Sequence, residues 1–131
     1  MISLNPKAVV WEYTLMCNSD CIHCGSDARY ARENELDTKE SLDLVDQIAD
    51  IGFKLIVLSG GEPTLRKDWI DIAERIKSHN IDFGIISNAL AWTPETLDTL
   101  TSLNPYAVGF ILDRSEELVI RYFQERGLLA A

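Results

Sequence analysis

The feature that most constrains this chain is the spacing of its cysteines. All three of them, Cys17, Cys21 and Cys24, lie within a stretch of eight residues in a chain of 131. Packing does not account for the cluster, because buried structural cysteines have no reason to lie next to one another. Without a fourth cysteine, the set builds neither a pair of disulfides nor a four-thiolate zinc site. Three converging thiolates can instead hold a metal centre that keeps one coordination position open, and an open position is where metal chemistry occurs.

Charge and hydropathy narrow the classes of partner and location. The net charge is −9, from 12 basic and 21 acidic residues, and the Lys and Arg residues do not cluster. We therefore expect no nucleic-acid partner and no binding to an anionic membrane, since both need grouped cations. The sequence contains no apolar run of about eighteen residues, so we expect no membrane-spanning helix. Residues 1–7 lack the apolar core of a signal peptide, and cysteines at metal-ligand spacing favour a reducing compartment, so we expect a cytoplasmic protein.

The order of apolar and polar segments predicts a strand–helix unit repeated four times in one domain, residues 1–131. The second strand is continuously apolar, which is typical of a strand buried on both faces of a parallel sheet covered by helices, and we expect the third strand to be buried as well. Asp37 and Glu40 have the spacing of a capping box, Gly52 favours a helix end, and Thr93 before a proline predicts a helix start. The predicted strands are residues 8–15, 55–58, 81–86 and 107–112, and the predicted helices are residues 37–52, 67–78, 93–103 and 115–126. This alternation indicates an α/β fold with parallel strands and right-handed crossovers.

Unusual polar groups follow the end of each predicted strand. The cysteine loop follows the first strand, and the sequence Ser-Gly-Gly-Glu-Pro of residues 59–63 follows the second. Ser87 and Asn88 follow the third strand, and Asp113 follows the fourth. The carboxyl ends of parallel strands meet at one edge of the sheet, where α/β proteins place their ligand sites. The four features together predict a ligand site at that edge.

Two of these segments carry a resemblance to a known family. The sequence Cys-Asn-Ser-Asp-Cys-Ile-His-Cys of residues 17–24 matches the CxxxCxxC motif of the radical S-adenosylmethionine (radical SAM) enzymes. The sequence Gly-Gly-Glu-Pro of residues 60–63 resembles the GGEP motif that follows the second strand in that superfamily. The sequence around both motifs is similar to the N-terminal part of the peptide- and cofactor-maturing branch of the superfamily, whose members often carry a C-terminal SPASM domain. The likeness covers the chain from about residue 8 to about residue 113.

The resemblance implies two cofactors and a set of binding residues. Cys17, Cys21 and Cys24 would bind three irons of a 4Fe-4S cluster, and S-adenosylmethionine would chelate the fourth. An electron from a reductant such as flavodoxin or ferredoxin would cleave S-adenosylmethionine to a 5′-deoxyadenosyl radical, which abstracts hydrogen from a peptide-like substrate. The glycines would let the backbone approach the methionine end of the cofactor, and the carboxylate after them would receive its amino group. The cofactor-binding residues implied in this way are His23, Gly60, Gly61, Glu62, Ser87, Asn88 and Asp113.

The chain departs from the family in the number of its units. The family core is usually a partial (β/α) barrel of six strand–helix units, so we expect here a truncated, four-unit part of a TIM-like barrel. The family commonly reads Ser-Leu-Asp-Gly after the fourth strand, whereas residues 111–114 read Ile-Leu-Asp-Arg. Three accounts follow: a fragment of a larger enzyme, a minimal form that completes its barrel by oligomerising, or a protein that binds cluster or cofactor without turnover. The first two are favoured because the cofactor-facing residues of the first half are intact.

Structural roles remain as alternatives for the same residues. A structural zinc site would need a histidine beside the three thiolates, but His23 is adjacent to Cys24, and His79 lies at the far end of a helix. The glycine pair alone fits a simple turn, and the carboxylate after it fits a helix start. A packing role suits His23 as well as cofactor contact does. The polar residues after the third and fourth strands also fit caps of the segments that follow.

Overall fold

The computed structural model describes residues 7–111, 120–121 and 124–125. Its elements, in chain order, are β1 (Ala8–Thr14), α1 (Thr38–Ile51), β2 (Leu55–Gly60), α2 (Trp69–Ser78), β3 (Asp82–Ser87), α3 (Pro94–Leu103) and β4 (Ala107–Phe110). The strands form one parallel sheet in the order β1-β2-β3-β4. This arrangement confirms the predicted α/β fold built from strand–helix units. Leu112 and Asp113 lie outside the described residues, as does most of the predicted helix 115–126.

Local signals set the helix ends where the sequence predicts them. The Asp37 side chain accepts a hydrogen bond from the Glu40 amide at 2.8 Å, and the Glu40 carboxylate accepts one from the Asp37 amide at 2.9 Å. This reciprocal pair is a capping box, and it starts α1. Gly52 ends α1 in the left-handed conformation, with φ of 98°. Thr93 caps α3 with its hydroxyl, ahead of a proline in the first turn.

One face of the sheet carries the core. Ile56 and Leu58 of β2 pair in register with Phe83 and Ile85 of β3, and all four side chains are fully buried. The helices contribute Val45, Ile48, Ile72, Ala73, Ile76, Leu97 and Leu100 to the same cluster. Each fully buried side chain of this size stabilises the fold by roughly 1.5–3 kcal/mol. The core therefore fixes the strands relative to one another, and with them the strand ends that carry the polar groups.

The opposite face of the sheet is not covered by these helices. Val10, between two core-facing residues of β1, is 63% exposed, and Val57 of β2 is only partly buried. The prediction that β2 is buried on both faces is therefore wrong for the described residues. The reason is that a partial (β/α) barrel turns one sheet face to its helices and the other to the barrel interior. Among the described helices, none is long and apolar enough to cross a lipid bilayer.

Candidate functional site

The cysteine loop begins where β1 ends, and one carboxylate holds it there. Glu35 accepts hydrogen bonds from the Leu15 amide at 2.7 Å and from the Thr14 hydroxyl at 2.9 Å. The Thr14 hydroxyl accepts in turn from the Met16 amide at 3.0 Å. Burial alone would raise the pKa of Glu35, but the hydrogen bonds from Leu15, Arg32 and Thr14 outweigh it, so this pKa lies below its usual value. Glu35 thus fixes the direction in which the chain enters the loop.

The two glycines after β2 pack directly on the backbone of that entry segment. A Cβ at Gly60 would lie 2.1 Å from the carbonyl oxygen of Thr14, and one at Gly61 would lie 2.2 Å from that of Met16. The φ of Gly60, +134°, also favours glycine. The amides of Gly61 and Glu62 donate to the Thr14 and Met16 carbonyls at 2.8 and 2.7 Å. The contact with the end of β1 is thus sufficient to require glycine, and the expected role of both glycines toward a cofactor stays a prediction.

The Glu62 carboxylate is fully buried and joins the ends of β2 and β3. Its Oε1 accepts from the Thr64 amide at 3.1 Å and from the Ser87 hydroxyl at 2.8 Å. Its Oε2 accepts from the Asn88 amide at 2.8 Å. The same side chain caps a short 3₁₀ helix, Pro63–Leu65, which the sequence did not predict. A buried carboxylate needs such hydrogen bonds, because an unpaired charge in the interior is costly.

Asn88 connects the end of β3 with the cysteine loop. Its side-chain amide nitrogen donates to the Asn18 side-chain oxygen at 2.8 Å and lies 3.7 Å from the sulfur of Cys17. Its side-chain oxygen accepts from the Leu90 amide at 2.9 Å, which fixes the orientation of the group. Asn88 therefore presents its N–H groups to the loop that carries the thiols.

A cavity of about 180 Å³ brings most of the predicted site residues together. Its lining consists of Cys17, Ser19, Cys21, His23, Cys24, Gly25, Ser26, Ser59, Gly60, Gly61, Asn88 and Ile111. All three cysteines of the chain are described, and none forms a disulfide. Glu62 and Ser87 are buried and are not among the residues that line the cavity. Asp113 lies outside the described residues, so its predicted contact with the cofactor stays a prediction.

The donor set fits an iron–sulfur cluster. Thiolates are the usual ligands of such clusters, and three of them around one cavity leave a position for a further ligand. Within the described ranges, no three His, Cys, Asp or Glu side chains are arranged to hold a single metal ion. His79, which a zinc site could have used, caps the end of α2 and pairs with Asp46 at 2.6 Å instead of facing the cavity.

A buried ionic cluster lies next to the site, and the sequence did not predict it. Arg66 donates to both oxygens of Asp68, at 3.0 and 2.6 Å, and Asp68 also accepts from the hydroxyls of Tyr13 and Thr38. The Arg66 guanidinium lies 4.0 Å from the centre of the Tyr13 ring. Burial would raise the pKa of Asp68, but the hydrogen bonds from Arg66, Tyr13 and Thr38 hold it below its usual value. Burial and the bond to Asp68 raise the pKa of Tyr13. The cluster locks the end of β1 to the starts of α1 and α2.

Neither Glu35 nor the Arg66–Asp68 pair carries a signal that sequence reasoning could have used. Glu35 stands in an irregular polar segment without periodicity, and Arg66 and Asp68 follow the glycine motif as ordinary surface-type residues. The partners of Glu35 and Asp68 at the end of β1 lie 20 to 55 positions away in sequence. Only the fold shows that they meet.

Comparison with known proteins agrees with this geometry. The family model described as "Radical SAM superfamily" matches residues 11–127. Fe-coproporphyrin III synthase of Methanosarcina barkeri is 36% identical over 110 residues, which cover 83% of this chain and 28% of that protein. Mycofactocin maturase MftC of Mycobacterium tuberculosis is 29% identical over 108 residues, which cover 82% of this chain and 28% of that protein.

A solved structure extends the comparison to three dimensions. The crystal structure of Streptococcus suis SuiB bound to precursor peptide SuiA matches with a TM-score of 0.64 at 25% identity. The match covers 72% of this chain and 21% of that chain. The chain thus spans less than a third of the length of each of these three relatives.

Proposed function

The chain belongs to the radical SAM superfamily, and on that premise we propose that Cys17, Cys21 and Cys24 hold a 4Fe-4S cluster beside a site for S-adenosylmethionine. Members of the superfamily bind both cofactors. The observation that carries the proposal is that the three thiols line one cavity together with the turn of Gly60 and Gly61. When bound, the two cofactors supply the chemistry of the family, in which reductive cleavage of S-adenosylmethionine gives a 5′-deoxyadenosyl radical that abstracts hydrogen from a substrate.

The other residues of the site take different roles in this proposal. Asn88 and His23 line the cavity and would contact the cofactor directly. Glu62 and Ser87 would act by positioning, because the Glu62 carboxylate is already hydrogen-bonded to the turn on one side and to the end of β3 on the other. In this arrangement the backbone of the Gly60 turn, rather than the buried carboxylate, would face the methionine end of S-adenosylmethionine.

Anaerobic reconstitution with iron and sulfide tests the proposal. The expected result is a brown protein with the electron paramagnetic resonance (EPR) signal of a reduced cluster, which forms 5′-deoxyadenosine from S-adenosylmethionine in the presence of dithionite. Changing Cys17, Cys21 or Cys24 to Ala should abolish the cluster. The control His79→Ala, away from the cavity, should retain it. Cofactor cleavage by the triple cysteine variant would show that the assignment is wrong.

The same preparation separates the alternatives. A protein that binds the cluster or the cofactor without forming 5′-deoxyadenosine is a binding module. A colourless protein that keeps one zinc ion after purification without chelators has a structural zinc site.

For the substrate, we propose a peptide-like molecule. SuiB, whose structure matches this chain, was crystallised with its precursor peptide SuiA. A short peptide encoded beside this gene should raise the rate of 5′-deoxyadenosine formation. The 36% identity to Fe-coproporphyrin III synthase favours a tetrapyrrole as the second candidate. If an iron porphyrin raises the rate of 5′-deoxyadenosine formation and the peptide does not, the substrate is a tetrapyrrole.

Electron supply and assembly complete the proposal. A flavodoxin or ferredoxin would serve as the reductant, and a second copy of the chain would complete the barrel. Light scattering during turnover tests the assembly, because a monomer with full activity would contradict it.

A further inference from the structure

Two cysteine sulfurs at the cavity lie next to polar side chains from outside the proposed ligand set. The Ser19 hydroxyl lies 3.1 Å from the sulfur of Cys21, and the Asn88 amide nitrogen lies 3.7 Å from the sulfur of Cys17. Once a cysteine has lost its proton to bind iron, its sulfur can only accept a hydrogen bond. The Ser19 hydroxyl must then be the donor.

The third sulfur is approached by the backbone. The Ala28 amide donates to the sulfur of Cys24 at 3.4 Å, and Ala28 itself is buried. A buried amide is held in place by the fold, so this donor stays aimed at the sulfur. Each of the three proposed ligands therefore has a hydrogen-bond donor near its sulfur.

We propose that these hydrogen bonds, and above all the one from Ser19 to Cys21, raise the reduction potential of the cluster. The inference rests on the proposed function, since it requires that the cysteines bind a cluster. Reduction adds one negative charge to the cluster and its thiolates, so a donor at a sulfur stabilises the reduced form more than the oxidised form. The Ser19 bond is the shortest of the three, and its donor can be removed by mutation without changing the backbone.

Ser26 offers a matched control for Ser19. It lies in the same loop and lines the same cavity, but its hydroxyl donates to the Glu12 carboxylate at 2.7 Å and not to a sulfur. Ser26→Ala removes a hydroxyl from the same loop and the same cavity lining. Only the loss of the Ser19 hydroxyl removes a donor from a ligand of the cluster.

The experiment is a potentiometric titration of the reconstituted cluster, without S-adenosylmethionine, followed by the EPR signal of the reduced form. Ser19→Ala should lower the ratio of reduced to oxidised cluster about threefold at the wild-type midpoint, a shift of about 30 mV to more negative potential. Ser19→Thr, which keeps the hydroxyl, should have the same midpoint potential as the wild type. Ser26→Ala should have that midpoint potential as well. Ser19→Gly provides a second variant without the donor in case the alanine variant assembles poorly.

The outcomes separate this inference from the proposed function. Wild-type protein that assembles no cluster overturns both. An intact cluster in Ser19→Ala or Ser19→Gly with unchanged potential overturns the inference alone, as does an equal shift in Ser26→Ala. If neither donor-free variant assembles a cluster, Ser19 serves assembly, and the proposed effect on potential is wrong.

Discussion

Replacing Glu62 by Gln should destabilise the fold strongly, although the two side chains have nearly the same shape. The buried carboxylate accepts from the Thr64 amide through one oxygen and from the Asn88 amide through the other. Whichever way a Gln amide is turned, its NH₂ group faces one of these backbone N–H groups. The variant therefore loses a charge-assisted hydrogen bond, worth about 1.5–3 kcal/mol, and leaves a buried N–H unpaired, at a cost of about 1–3 kcal/mol. We expect a loss of about 4 kcal/mol in the free energy of unfolding.

Urea unfolding followed by circular dichroism measures this loss. With a slope of about 2 kcal/mol per molar urea, the midpoint of Glu62→Gln should fall by about 2 M. Glu40→Gln is the matched control, because its exposed carboxylate accepts from the Asp37 amide at 2.9 Å and Gln serves equally well in a capping box. This control should change stability by no more than about 0.5 kcal/mol. If the two variants unfold at the same urea concentration, the Glu62 carboxylate does not join the two strand ends as described.

Three further perturbations have defined outcomes. Gly61→Ala should lower both stability and iron uptake on reconstitution, because its Cβ would lie 2.2 Å from the Met16 carbonyl oxygen, whereas Gly25→Ala, with nothing within 4 Å of its Cβ, should change neither. Asp37→Ala removes the cap of α1 and should cost about 1 kcal/mol in urea unfolding, and a cost near zero would contradict the capping role. The pKa of Asp68 is lower in the folded protein than in the unfolded chain, so its ionised carboxylate contributes stability that is complete above about pH 4 and is lost as the pH falls through the pKa of the folded state. Asp68→Asn should therefore flatten the pH dependence of the unfolding free energy below about pH 4. If the unfolding free energy of the variant falls as steeply at low pH as that of the wild type, groups other than Asp68 cause the acid dependence.

Local sequence signals were sufficient for most of the fold. The Asp37 capping box, the Gly52 helix end and the Thr93–proline start each act within a few residues, so the helix boundaries could be predicted without knowledge of the tertiary structure. The burial of β2 could not, because a continuous apolar run does not show which sheet face the helices cover. Val10 of β1, which pairs in register with Val57 of β2, is 63% exposed on the sheet face that the helices leave uncovered.

The candidate site was predictable to the extent that strand ends meet at one edge. That rule brought the cysteines, the glycine turn and Asn88 to one cavity. It did not show that Glu62 would be buried, because charged side chains are seldom fully buried and a carboxylate in a motif suggests contact with a ligand. The burial follows from donors at the end of β3, which are 25 and 26 residues away in sequence.

The contact of the glycine turn with the end of β1 bears on how the cysteine loop could be moved between proteins. Loops at the carboxyl edge of a (β/α) barrel are usually exchanged one at a time, since each is carried by its own strand. Here residues 14–16 receive hydrogen bonds from residues 61 and 62, and Glu62 is bonded in turn to residues 87 and 88. An engineer who grafts the three cysteines into another barrel would have to transplant all three strand ends as one part.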